Sequence, residues 1–205
     1  MGKREEQSLV LGVTGGIACG KSEVGTILSA LGFQVLDTDA VAHEIMLPGK
    51  AAYDRIVEYF GSGILDESGE IDRKKLGKLV FGDTRNLEAL NGFVHPSVCR
   101  EYRKWLADKK RDGSRLAVII PLLFEVGEEA GWDAIICVSS STRKIVERLK
   151  MRGFSESEAR IRIRSQMPLE EKIERADYVI RNNGSLGDLK ESTADVVAEI
   201  IRNKR

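Results

Sequence analysis

The stretch Gly15-Gly16-Ile17-Ala18-Cys19-Gly20-Lys21-Ser22 decides how the rest of this 205-residue chain is read. It satisfies G-x-x-x-x-G-K-[S/T], a pattern in which glycines let successive backbone N–H groups converge on an anion. Before it, Ser8–Val13 (SLVLGV) is a short apolar run that reads as a buried strand. After it, Val24, Ile27, Leu28 and Leu31 fall at i, i+3, i+4 and i+7, one face of a helix that Gly32 ends. Strand, glycine loop and helix N-terminus are the context a phosphate loop (P-loop) requires. In that reading Lys21 reaches the β- and γ-phosphates and the Ser22 hydroxyl ligates Mg²⁺. Cys19 contributes its backbone amide rather than a reactive thiol.

Working outward, Phe33–Leu36 (FQVL) is a second strand closed by Asp37. Strand, loop, helix and strand in under 40 residues form the unit of a parallel α/β sheet. From Ala40 to about Ala107 the pattern is helical. Asp83 or Thr84 is placed to cap a helix carrying Leu87, Leu90, Phe93 and Val94, and Pro96 is expected to break or kink it. Strands resume at Leu116–Ile120 and Ala134–Val138. A charged helical region with Arg143, Arg148, Arg152, Arg160, Arg162 and Arg164 follows to about Arg175. Tyr178–Ile180 is a last strand and Leu189–Ile201 a closing helix. The expectation is one α/β domain, a sheet split by a helical insertion with an Arg-rich segment later.

Composition narrows the function. The chain holds 32 Lys and Arg against 32 Asp and Glu, a net charge of zero, which removes any global electrostatic case for nucleic acid or a membrane surface. Three scattered cysteines make neither a disulfide framework nor a metal site, and Cys99 and Cys137 read as small buried hydrophobes. The charged start before Leu9 shows no signal peptide, and no apolar run is long enough to span a bilayer. A soluble cytoplasmic protein is expected.

Other residues join the loop. Asp37-Thr38-Asp39 follows the second strand, where carboxylates outside a strand's carboxyl end face a ligand crevice; either acid also suits the cap of the next helix. Arg148 and Arg152, spaced i, i+4, share a helix face able to clamp phosphates or simply to meet solvent. His95 before Pro96 reads by itself as structural. Pro121 turns the chain after the third strand, and Leu122, Leu123 and Phe124 are either core or an apolar wall for an organic substrate. No N-K-x-D string is present to read guanine, and Asp66-Glu67-Ser68-Gly69 reads as a turn.

Taken in order, TGGIACGKS, LDTDAVAHEI, LNGFVHP, PLLFE, ERLKMR and ADYVIRNNG closely resemble the dephospho-CoA kinase family, from about Leu9 to about Leu189. The resemblance implies a P-loop three-layer fold with a five-stranded parallel sheet. Its core would take about 8–39, 114–141 and 176–205, its helical substrate-binding insertion about 40–113 and its Arg-rich helical lid about 142–175. It implies ATP and Mg²⁺ as cofactors and phosphorylation of the ribose 3′-hydroxyl of dephospho-CoA. It also implies in-line transfer, with Asp39 as base and Lys21 and Arg148 catalytic. Nucleotide contacts fall on Gly15 to Ser22, Arg148, Arg152 and Asn183; acceptor contacts fall on Thr14, Asp39, His95, Pro121, Leu122 and Leu123. Ala18 departs from the family's usual glycine, which matters if that position needs φ > 0. Ile119 stands where many members carry an acid, leaving Asp37, Asp39 or Glu125 for any role beside the metal. The rival readings are a kinase for another small alcohol or nucleotide, and a nucleotide-binding module without turnover.

Overall fold

Leu9–Gly15 (β1), reading LVLGVTG, is buried at every position, and so is Ala134–Ser139 (β4), reading AIICVS. Continuous apolar runs of this kind suit strands covered on both faces. With Gln34–Asp37 (β2), Arg115–Ile119 (β3) and Tyr178–Arg181 (β5) they form one all-parallel sheet ordered β2-β3-β1-β4-β5. The computed structural model describes residues 8–81, 83–111 and 113–204. The charged start Met1–Gln7 lies outside them. Two units are distinguished: the chain to Asp37 together with the chain from Asp108 onward, and Thr38–Ala107.

In the first unit β1 is central, with β3 on one side and β4 on the other, so the chain leaving β1 emerges where the strand order reverses. The helix Lys21–Ala30 (α1) buries Val24, Gly25, Ile27 and Leu28. A Cβ at Gly25 would come within 2.5 Å of Ile119 Cδ1, so glycine lets α1 lie close on the sheet. Ile119 is thereby a core residue, 3% exposed. The Arg-rich region resolves into Thr142–Met151 (α6), Glu156–Arg164 (α7) and Leu169–Arg175 (α8). Leu186–Asn203 (α9) closes the chain, its start fixed by a Ser185–Asp188 capping box.

The second unit holds Thr38–Ile45 (α2), Tyr53–Phe60 (α3), a 3₁₀ turn at Ser62–Ile64, Arg73–Val80 (α4) and Thr84–Lys109 (α5). Ile45, Ile56, Ile64, Leu76, Val94, Val98 and Tyr102 are buried among it. The Asp66 segment is the expected turn: its carboxylate accepts from Ser68 N, Ser68 Oγ and Glu70 N at 2.7–3.0 Å, which holds its pKa below the usual value. Asp83 provides the cap of α5, accepting from Arg85 N at 2.8 Å. The expected break at Pro96 is absent, and α5 runs unbroken to Lys109. Pro96 has no N–H to give, so the helix forgoes the bond to Gly92 O and continues past it. Cys99 is only half-buried, against expectation, whereas Cys137 in β4 is fully buried. No helix among the described residues is long and apolar enough to cross a membrane.

Candidate active site

The loop between β1 and α1 has a backbone that favours glycine at three positions. Gly15 takes φ 141, and a Cβ there would stand 2.0 Å from Val138 O. Gly20, ahead of α1, takes φ 100, and its Cβ would meet Asn182 Nδ2 at 2.2 Å. Between them Ala18 takes φ 55, the one positive φ outside glycine among the described residues. The position therefore does ask for the left-handed region, and alanine accepts the strain, worth about 1 kcal/mol. Lys21 folds back over the loop, its Nζ donating to Gly15 O at 3.1 Å and Gly16 O at 2.9 Å. Ser22 is exposed in the first turn of α1, where helix N–H groups and the dipole favour an anion.

The loop is held from behind by groups that spacing alone does not reveal. Arg148 Nη1 donates to Ala18 O at 3.0 Å and to Ser140 Oγ at 2.9 Å, while its Nη2 donates to Asn182 O at 3.0 Å. Asn182, 7% exposed, donates from Nδ2 to Cys19 O at 2.9 Å. In a planar trans peptide the C=O and the following N–H point opposite ways. Tying back Ala18 O and Cys19 O therefore aims the amides of Cys19 and Gly20 into the loop. Cys19 N indeed points inward, to Gly16 O at 3.3 Å.

Arg148 thus braces the loop, and Arg152, just past the end of α6, is exposed. The other arginines of the segment mostly meet local partners. Arg143 pairs with Glu147 at 3.7 Å and Arg160 with Glu156 at 2.8 Å, while Arg162 lies 4.2 Å over the Phe154 ring. Asn183 is exposed, and its Oδ1 accepts from Ser141 N at 2.8 Å, fixing the start of α6. Cys19 is fully buried, and burial raises its thiol pKa against the opposing pull of Lys21 and Arg148.

Two expected acceptor contacts, Leu123 and Thr14, have no open side chain. Leu123 is 0% exposed, with Cδ1 3.1 Å from where a Cβ on Gly12 would sit, and Phe124 is 4% exposed. Those two belong to the core, and Pro121 and Leu122 remain half-buried. Thr14 is also fully buried, its hydroxyl donating to Pro121 O at 3.3 Å. Asp37 ends β2 opposite Ile119, at the carboxyl edge of the sheet. Glu125, one of the acids considered beside the metal, is held by Lys172 at 2.7 Å. In the second unit Asp39 is exposed in the first turn of α2, and His95 is half-buried within α5.

Lys172, Gln166 and Asn182 are the residues that sequence reading missed as parts of the loop's support. A signal existed for the first. Leu169, Lys172, Ile173 and Ala176 recur at i, i+3, i+4 and i+7, so a lysine occupies a core position of α8. The described residues contain no cluster of three His, Cys, Asp or Glu able to hold a metal. A Mg²⁺ bound by Ser22, phosphate oxygens and water requires none, so the exposed Ser22 hydroxyl fits that ion.

Comparison with known proteins agrees with this loop. The dephospho-CoA kinase family model matches residues 9–188. A dephospho-CoA kinase of Carboxydothermus hydrogenoformans is 45% identical over 195 residues, covering 94% of this chain and 93% of the relative. A crystal structure of a Thermus thermophilus protein superposes with TM-score 0.74 at 35% identity, covering 95% of this chain and 98% of that one. Dephospho-CoA kinase from Campylobacter jejuni gives TM-score 0.67 at 28% identity, with 97% and 100% covered. With its P-loop on a five-stranded parallel sheet and a match along nearly its whole length, the chain belongs to the dephospho-CoA kinase family.

Proposed function

We propose that this protein transfers the γ-phosphoryl group of ATP to the ribose 3′-hydroxyl of dephospho-CoA, giving coenzyme A and ADP in one in-line step. ATP-dependent phosphorylation of dephospho-CoA, the final step of coenzyme A synthesis, is the reaction of the family. The observation that carries the reading is Lys21 Nζ poised over Gly15 O and Gly16 O above inward-facing loop amides. Lys21 and the amides of Cys19 to Ser22, which face the site, hold the β- and γ-phosphates. Ser22 holds Mg²⁺, which when bound neutralises phosphate charge. Asp39 accepts the 3′-hydroxyl proton as the new O–P bond forms, and ADP leaves as the old one breaks. Arg148 and Arg152 border the nucleotide and Asn183 its base; His95, Pro121 and Leu122 take the acceptor. Reduced thiols and the absence of any apolar spanning helix among the described residues suit a cytoplasmic enzyme.

The direct test is ADP release with Mg-ATP and dephospho-CoA, adenosine, AMP, shikimate or no acceptor. Turnover with dephospho-CoA alone is expected. Turnover with another acceptor reassigns the substrate, and ATP binding without turnover supports a binding module instead. Asp39→Asn is expected to lower kcat by roughly 10²–10⁴ while ATP affinity stays. An unchanged kcat removes Asp39 from the role of base.

A further inference from the structure

The mechanism makes no use of the largest fully buried side chain among the described residues, Lys172 in α8. Its Nζ donates to Pro121 O at 2.8 Å and pairs with Glu125 Oε1 at 2.7 Å. The same Glu125 oxygen accepts from Met167 N at 3.1 Å. One residue earlier, Gln166 Oε1 accepts the N–H of Ile17, within the P-loop, at 3.1 Å. Leu169 at the start of α8 lies 3.5 Å from where a Cβ on Gly16 would be. The chain returning from the Arg-rich helices is thus fastened to the turn after β3 at both Met167 and Lys172, and touches the P-loop at Gln166 and Leu169.

The Gln166 bond has a consequence for Lys21. Because the Gly16–Ile17 peptide is planar and trans, drawing the Ile17 N–H outward turns Gly16 O inward. Gly16 O is the acceptor of Lys21 Nζ at 2.9 Å and of Cys19 N at 3.3 Å. We propose that Gln166, anchored by the Lys172–Glu125 pair, is a positioning residue that sets the Gly16–Ile17 peptide and through it Lys21. The inference deepens the nucleotide site described above and rests on that reading of the loop. A lysine is almost never fully buried without a partner, and apolar side chains in place of the whole pair would serve stability as well. The pair's role is therefore geometric: it fixes the end of the segment that carries Gln166.

The test uses Gln166→Met and Lys172→Met in the full chain. It reads ATP dissociation constants by calorimetry without acceptor, kcat, the KM of the acceptor, and Tm. Gln166→Met is expected to weaken ATP about tenfold and lower kcat with it, at unchanged acceptor KM and Tm, since water can serve the half-buried Ile17 N–H but does not direct it. Lys172→Met is expected to weaken ATP at least as much. Gln166→Met added to Lys21→Ala is expected to weaken ATP less than about twofold further, because both act through one group. Unchanged ATP affinity in Gln166→Met, or its full effect repeated in the Lys21→Ala background, overturns the proposal. If Lys172→Met does not fold, those two Gln166 measurements decide alone. Should the wild type bind ATP yet not phosphorylate dephospho-CoA, the acceptor assignment falls, and these affinities still judge Gln166.

Discussion

The two halves of the P-loop are held by bonds of opposite sense. At Ala18 and Cys19 the carbonyls face backward, onto Arg148 and the buried Asn182, and the next amides face the phosphate site. At Gly16–Ile17 the amide faces backward, onto the half-buried Gln166, and the carbonyl turns toward Lys21. One loop thereby presents donors to an anion and acceptors to its own lysine. The difference also separates two kinds of support. The buried Asn182 has no water to replace it, whereas the half-buried Gln166 supplies direction more than stability.

Asn182→Ala breaks this comparison most severely. It leaves Cys19 O buried without its donor, at a cost of about 1–3 kcal/mol, and frees the peptide ahead of Gly20. A drop in Tm of several degrees, at about 2–4 °C per kcal/mol, is expected together with roughly tenfold weaker ATP binding. Gln166→Met is expected to weaken ATP at constant Tm, so thermal melting and calorimetry on the two variants separate the halves. Equal Tm losses in both would erase the distinction.

Ala18→Gly sharpens the comparison from the other side. Ala18 already holds φ 55 with its carbonyl on Arg148, so its Cβ acts on strain rather than on the direction of the loop. Releasing it is expected to stabilise the protein by no more than about 1 kcal/mol, read as a small rise in Tm. ATP affinity is expected to stay within about twofold. A large gain in affinity would mean that the methyl group distorts the phosphate site itself.

What could be read from sequence follows the same division. The central strands β1, β3 and β4 were legible because burial on both faces demands continuous apolar runs, and the loop because its glycines are required by φ and by close backbone contact. Ala18 was legible as a question about φ, which the backbone answers. The supports were not, since a side chain that bonds a carbonyl 130 or 163 residues away leaves no local pattern. Leu122, Leu123 and Phe124 carried the same ambiguity until packing placed two of them inside. At Pro96 the expected break does not occur, and the helix runs on without the one backbone bond that proline cannot donate.

The smallest effect concerns Cys19, whose backbone belongs to the loop while its thiol lies with the supports. Burial raises its pKa, so at pH 8 less of it is thiolate than of an ordinary cysteine. Cys137 is pushed up to about 12 by burial and by the neighbouring Cys19, leaving roughly one thiolate in ten thousand at that pH. Iodoacetamide at pH 8 is therefore expected to label the half-buried Cys99 first, with ATP binding retained. Both other thiols gain reactivity only as the pH rises toward their raised pKa values or as the fold opens. Asn182→Ala, which loosens the backbone of Cys19, is expected to speed labelling there, whereas Gln166→Met is not. Rapid labelling of Cys19 in the wild type would mean that the second half of the loop is not tied back at all, and the contrast between the halves would go with it.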